Sequence, residues 1–234
     1  MVEAVLRPRR RKASEKLAIA ALGYATLGWP VCQGARLRAG SRGAVPAQQG
    51  RRSAAAGRAC SCDRVGCPAP GAHPLSPAWK REASADPAVV GQWWAAAPQS
   101  SILLVTGRVF DVLDVPARAG TVALASLGAA GIGSGPVAGG AGGADQRALF
   151  FVASRAASAE EDEWWSCHLD CEPETVPAIA GLRWHCRDSY VLAPPSAVSG
   201  GSPARWLVRP DAAPLPDALR LLEFLADACE EIGQ

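Results

Sequence analysis

The stretch Gly107-Arg108-Val109-Phe110-Asp111-Val112-Leu113-Asp114-Val115-Pro116 constrains the fold more than any other. Its apolar residues run on without alternating, as in a strand buried on both faces. With Ser101 to Thr106 before it and Gly107 between, the text predicts two adjacent strands, Ser101–Thr106 and Arg108–Val115. Yet the second strand carries Asp111 and Asp114 and ends on a proline. Two anions in a core strand have two readings: a metal-dependent phosphoryl-transfer site, or a strand end that turns its acids back to water.

Other elements follow from local signals. Ser14 predicts the cap of a helix reaching about Leu27, with Leu17, Ala21, Ala25 and Gly28 on its inward face. Trp29 to Cys32 reads as a short strand. Asp86-Pro87 starts a helix running to about Ala97, since Asp supplies the capping oxygen and Pro at the first helical position lacks only an unneeded donor. The Trp93-Trp94 pair puts at least one indole into the core. Residues 117–128 read as helix, and 128–144 as a Gly-rich stretch that lacks the lysine of a phosphate loop. Strands are expected at Arg147–Ala153, Tyr190–Ala193 and Trp206–Val208. A closing amphipathic helix, Pro216 to Glu231, is expected to bury Leu219, Leu222, Ala226 and Cys229. Strands and helices mixed with short connections make an α+β domain.

Charge divides the chain. Residues 1–58 hold twelve Lys or Arg against Glu3 and Glu15, a net +10, and the remaining 176 residues carry −8. Basic arms of this kind displace counterions from phosphates, which makes Arg9, Arg10, Arg11, Lys12, Arg51 and Arg52 candidate nucleic-acid contacts. Arg-rich, Ala/Gly-rich text of GC-rich coding is the plainer reading. The segment Arg7 to Lys12 followed by Ala18 to Leu27 imitates a signal peptide, but Glu15 and Lys16 interrupt it and no cleavage site precedes Trp29-Pro30. No apolar run approaches the ~18 residues of a membrane span. A soluble, cytoplasmic protein without membrane partners is expected.

All three histidines lie beside cysteines, a pairing that favours metal ligation over disulfides, which have no use for imidazole. Cys60, Cys62, Cys67 and His73 fall within fourteen residues separated by Gly and Pro, a donor set for structural zinc. Four protein ligands leave such an ion no open position for chemistry. Free cysteines in an unordered loop are the alternative. A second group comprises Cys167, Cys171, His185 and Cys186. If residues 184–186 are extended, His185 and Cys186 point to opposite faces, so only one of them can share an ion with Cys167 and Cys171. Packed free thiols explain this group equally well.

Three segments in order carry a family resemblance. They are Leu22 to Val31 (LGYATLGWPV); Gly71-Ala72-His73-Pro74 with Trp79, Asp86-Pro87 and Gln92 to Pro98; and Ser189 to Ser196 (SYVLAPPS). Together they resemble the bifunctional DNA primase/polymerase N-terminal family, Prim-Pol, in its short actinobacterial form, from about residue 16 to 210. The resemblance implies the archaeo-eukaryotic primase fold, a small α+β domain with an RRM-like sheet. It also implies template-directed nucleotidyl transfer in DNA replication with Mg or Mn, and partners that include DNA or another nucleic acid, nucleoside triphosphates and a separate helicase or replication protein. On this basis residues 1–13 form a basic tail and 14–210 the domain, with a flexible basic loop at 33–59 and a zinc loop at 60–74. Residues 211–234 add a C-terminal helix packed on it.

The same resemblance locates the departures. Family members carry two acids, two residues apart, on the strand after the Trp-Trp helix, so that both face one pair of ions. Asp114 matches the first and Pro116 stands at the second. Asp111, three residues from Asp114, faces the other side of a regular strand. Ala148 stands where the family's phosphate-contacting histidine belongs, and Arg183, Trp184 and His185 stand where a third acid is expected. The implied protein is a primase/polymerase with a degenerate site, or else a catalytically inactive zinc-stabilised nucleic-acid- or nucleotide-binding module.

Overall fold

A computed structural model describes residues 8–38, 59–62, 64, 67–141, 146–154, 181–198 and 201–233. The elements are α1 (Pro8–Thr26), β1 (Val31–Gly34), β2 (Leu37–Arg38), β3 (Ala59–Cys60), α2 (Trp79–Glu82), α3 (Pro87–Ala96), β4 (Ser101–Val105), β5 (Phe110–Pro116), α4 (Ala117–Ala129), β6 (Val137–Gly139), β7 (Arg147–Ala153), β8 (Arg183–His185), β9 (Tyr190–Leu192), β10 (Arg205–Val208) and α5 (Ala218–Gly233). Mixed α and antiparallel β structure is the class expected from the sequence. No helix among the described residues is long and apolar enough to cross a membrane.

Three antiparallel sheets form, in the orders β1-β4-β9, β10-β6-β7-β5-β8 and β2-β3. The strands read as neighbours, β4 and β5, therefore part into different sheets. Gly107 makes the turn between them, with φ +80 and its N–H bonded to the Phe110 carbonyl at 2.9 Å. A Cβ there would stand 2.2 Å from Arg187 Cα, so only glycine fits this crossing.

Three cores follow from strand alternation. Leu113 and Val115 of β5, Ala148, Phe150 and Val152 of β7 and Trp184 of β8 pack under α4 and α5. The opposite face of the same sheet gives Phe110, Val112, Leu149 and Phe151 to a second core shared with α1, α3, β1 and β4. Trp29 is central there, with ring centroids 4.7 Å from Phe110 and 5.2 Å from Phe151, and Tyr24 and Trp206 close by. Cys32, Leu103 and Val105 form a third core on the far side of the three-stranded sheet.

Several local expectations hold. Asp86 Oδ1 accepts from the Ala88 N–H at 2.8 Å and starts α3. Trp94 is buried and donates from Nε1 to the Ser100 carbonyl. Others need correction. The first helix begins at Pro8, so Ser14 lies inside it; proline suits a first turn, and the Arg-rich stretch after it is favourable helical text. On α5 the buried stripe is Ala218, Leu221, Leu225, Ala228 and Cys229, and Leu219 is 52% exposed. Cys229 is buried as expected, while Leu219, Leu222 and Ala226 each lie one position beyond the stripe that α4 and the sheet cover. The Gly-rich stretch contains β6, which fits between β7 and β10 because small residues allow close strand approach.

Candidate functional site

β5 pairs in unbroken register with β7 on one side and β8 on the other. With no bulge, Asp114 shares the face of Phe110 and Val112, and Asp111 shares that of Leu113. Asp111 and Asp114 are thus on opposite faces. Asp111 is 2% exposed and accepts from Ser154 Oγ at 3.0 Å.

Asp114 lies at the end of the sheet among bases. Its Oδ1 receives Arg147 Nε at 2.6 Å, and its Oδ2 is 3.3 Å from His185 Nε2. Arg147 Nη2 adds bonds to the Asp114 and Gly181 carbonyls, which fixes the guanidinium across the first residues of β7. A carboxylate only accepts, so His185 Nε2 carries a proton; its Nδ1 lies 3.1 Å from Ser189 Oγ. Arg183 stands directly opposite Asp114 in the β5–β8 register, on the same face, and is exposed. Sequence reasoning did not single out Arg147. Its one signal was a cation opening an otherwise apolar strand.

The second site lies beyond β1. Residues Leu37 and Arg38 pair with Ala59 and Cys60, while Ala35 N–H bonds the His73 carbonyl at 2.8 Å, so a β-ribbon brings distant segments together. The ligand atoms of Cys60, Cys62, Cys67 and His73 all lie within 4.8 Å of one another. A tetrahedron built from metal–sulfur bonds of ~2.3 Å has edges of about 3.8 Å, so donors at this spacing are close enough to converge on one ion. His73 Nδ1 is 2.9 Å from the Pro74 carbonyl, an acceptor, so Nδ1 carries the hydrogen and the Nε2 lone pair faces Cys60 Sγ at 3.2 Å. This is the tautomer a metal requires, held by an outer partner.

The thiols are unequal. Burial raises Cys60, but the backbone N–H groups of Cys62 and Gly71 act against it, and the thiol comes down to about 6. Cys67 moves up, through burial first and then the neighbouring Cys62 and Cys60 thiols. Crowded thiols do not all release protons without a cation to balance them. The group is able to hold a metal ion such as zinc.

The remaining candidates separate. His185 faces Asp114, whereas Cys186 is buried in the core under α4 and α5, and Cys167 and Cys171 lie outside the described residues. Arg9, Arg10, Arg11 and Lys12 fall in the first turns of α1, where Arg11 pairs with Glu15 at 3.0 Å. Arg51 and Arg52 lie outside the described residues.

An α+β domain of antiparallel sheets, with a metal-capable Cys3His loop and an aspartate at one sheet end, is the class these residues define. The family model for the bifunctional DNA primase/polymerase N-terminal domain, Prim-Pol, matches residues 21–218. The chain belongs to that family. No curated protein and no solved structure gives a significant match.

Divalent ions are the usual means of nucleotidyl transfer in this family. Among the described residues, the donors on the Asp114 face do not fit a pair of them. Pro116 and Ala148 offer no ligand, Asp111 is on the other face, and both oxygens of Asp114 face basic nitrogens.

Proposed function

We propose that the chain is a primase/polymerase-family protein whose site for template-directed nucleotidyl transfer is degenerate, and which acts as a zinc-stabilised nucleic-acid- and nucleotide-binding module. Family membership suggests the nucleotidyl-transfer ancestry and the nucleic-acid and nucleotide partners. The five-stranded antiparallel sheet supports the RRM-like, primase-type fold. The observation that carries the reading is Asp114 held between Arg147 and His185, with a guanidinium where a divalent ion would need the carboxylate.

In this reading the missing ligands cost several orders of magnitude in rate, because the charge that offsets the transferring phosphate is no longer positioned. Zinc on Cys60, Cys62, Cys67 and His73 would brace the loop and supply no chemistry. Arg9 to Lys12, with Arg51 and Arg52, would meet nucleic-acid phosphates. A helicase or other replication protein would supply unwinding in the cytoplasm.

The test is extension of a primed single-stranded template with deoxynucleotides and manganese. The expected result is no product above that of an Asp114→Ala control. Template-directed extension that disappears in the control would establish an enzyme and overturn the reading.

A further inference from the structure

If the acids that hold ions are gone, the charge of the face has changed sign. Around Asp114 stand two guanidinium groups and an imidazole: Arg147 and His185 in contact with it, and Arg183 opposite it across the sheet. Strand alternation sets Arg147, His185 and Arg183 on the face of Asp114, because their neighbours Ala148 and Trp184 are buried on the other. Among the described residues, one carboxylate therefore answers two permanent cations.

Asp114 does not consume both. Arg183 is exposed and makes no ion pair with a described residue, and the Arg147 side chain retains 24% of its exposure. The Arg147 Nη1 donates to none of the described residues, since the bonds of this guanidinium leave from Nε and Nη2. Asp114 acts as the brace that orients Arg147 and His185. Arginine's planar, permanent charge suits phosphate oxygens.

We propose that this face binds the phosphate chain of a nucleoside triphosphate directly, on Arg183, Arg147 and His185, with no divalent cation between. The proposal rests on the degenerate-site reading above and adds a ligand and a mode of holding it. No bond is made or broken, so the site is a binding site. It also separates the two histories of Asp114: in a metal site removing its charge abolishes nucleotide binding, and in an anion site it relieves repulsion.

The experiment is equilibrium dialysis of the zinc-loaded full chain with radiolabelled deoxyadenosine triphosphate, in buffer freed of magnesium and manganese by a chelating resin before the protein is added, and in excess magnesium. Binding is expected without magnesium and unchanged by it. Arg183→Ala should weaken it about tenfold or more. Arg220→Ala, on the exposed side of α5, should not. Asp114→Asn, which keeps an oxygen for Arg147 and removes the anion that faces the phosphates, should bind more tightly. Inorganic tripolyphosphate should compete.

Binding that needs magnesium, that survives Arg183→Ala or that vanishes in Asp114→Asn with the fold intact by circular dichroism would overturn the proposal. So would no binding in either condition, or competition by a single-stranded oligonucleotide but not by tripolyphosphate. None of these outcomes produces primer extension, so failure here stays distinct from failure of the functional reading.

Discussion

Arg147 Nε lies 2.6 Å from Oδ1 of Asp114, across the β5–β7 ladder, and the pair is mostly shielded from water. A separation this short between a guanidinium and a carboxylate organises the sheet end. It also fixes what the aspartate can do, because an oxygen bound to Arg147 is not offered to a cation.

Loss of either partner leaves the other charge partly buried. Asp114→Ala and Arg147→Ala should each lower unfolding free energy by about 2–3 kcal/mol in urea titrations, less than the roughly 3–5 kcal/mol of fully buried pairs because Arg147 keeps some solvent. The double variant should cost less than the sum, with a coupling of at least about 1 kcal/mol. Additive costs would mean that the pair does not form.

The Cys3His loop should carry one zinc per chain by elemental analysis. Cys62→Ser should lower that content and the thermal midpoint together, since an ion bound only by the folded chain stabilises it. Cys186→Ser, in the core under the helices, should keep its zinc. Equal zinc in all three proteins would place the ion elsewhere.

Alkaline pH should destabilise the protein through Cys32. Burial, with the Glu82 charge adding to it, pushes this thiol from 9.0 up to about 12, and Tyr24 is raised in the same direction by its own burial. The native state keeps protons that the unfolded chain releases. Stability is therefore full below about pH 9 and falls as pH rises towards 12. Cys32→Ala should flatten this fall in denaturation curves collected across the window, and an unchanged slope would contradict the assignment.

Single-stranded DNA should be retained in a salt-dependent way through the start of α1. Removing residues 1–58 is a poor test, because Tyr24, Trp29 and Val31 are part of the second core. Neutralising Arg9, Arg10, Arg11 and Lys12 to Gln is the better one. It should reduce the slope of log affinity against log salt by roughly 0.7 for each phosphate that the segment no longer neutralises. Arg11 should contribute least, being paired with Glu15. An unchanged slope would remove this segment from the interface.

Much of the frame was legible in the sequence for local reasons. Asp86-Pro87 carries its own cap, Arg147–Ala153 is apolar enough to be a strand anywhere, and the spacing of Cys60 to His73 specifies a metal-capable loop by itself. The opposed faces of Asp111 and Asp114 also followed from period two alone. What escaped depends on partners remote in sequence. β6 is a strand because β7 and β10 flank it, and the face of α5 is set by where α4 lies. The grip of Arg147 and His185 on Asp114 joins residues 33 and 71 positions away, and no periodicity reports such a meeting.

Manganese titration of the zinc-loaded chain in the presence of deoxyadenosine triphosphate, followed by electron paramagnetic resonance, reads out whether Asp114 still binds a divalent ion. With Asp114 held by Arg147 and His185, no tight manganese should appear that the Asp114→Ala protein lacks. Two manganese ions per chain, displaced by magnesium and abolished by Asp114→Ala, would show that the aspartate still serves a working metal pair.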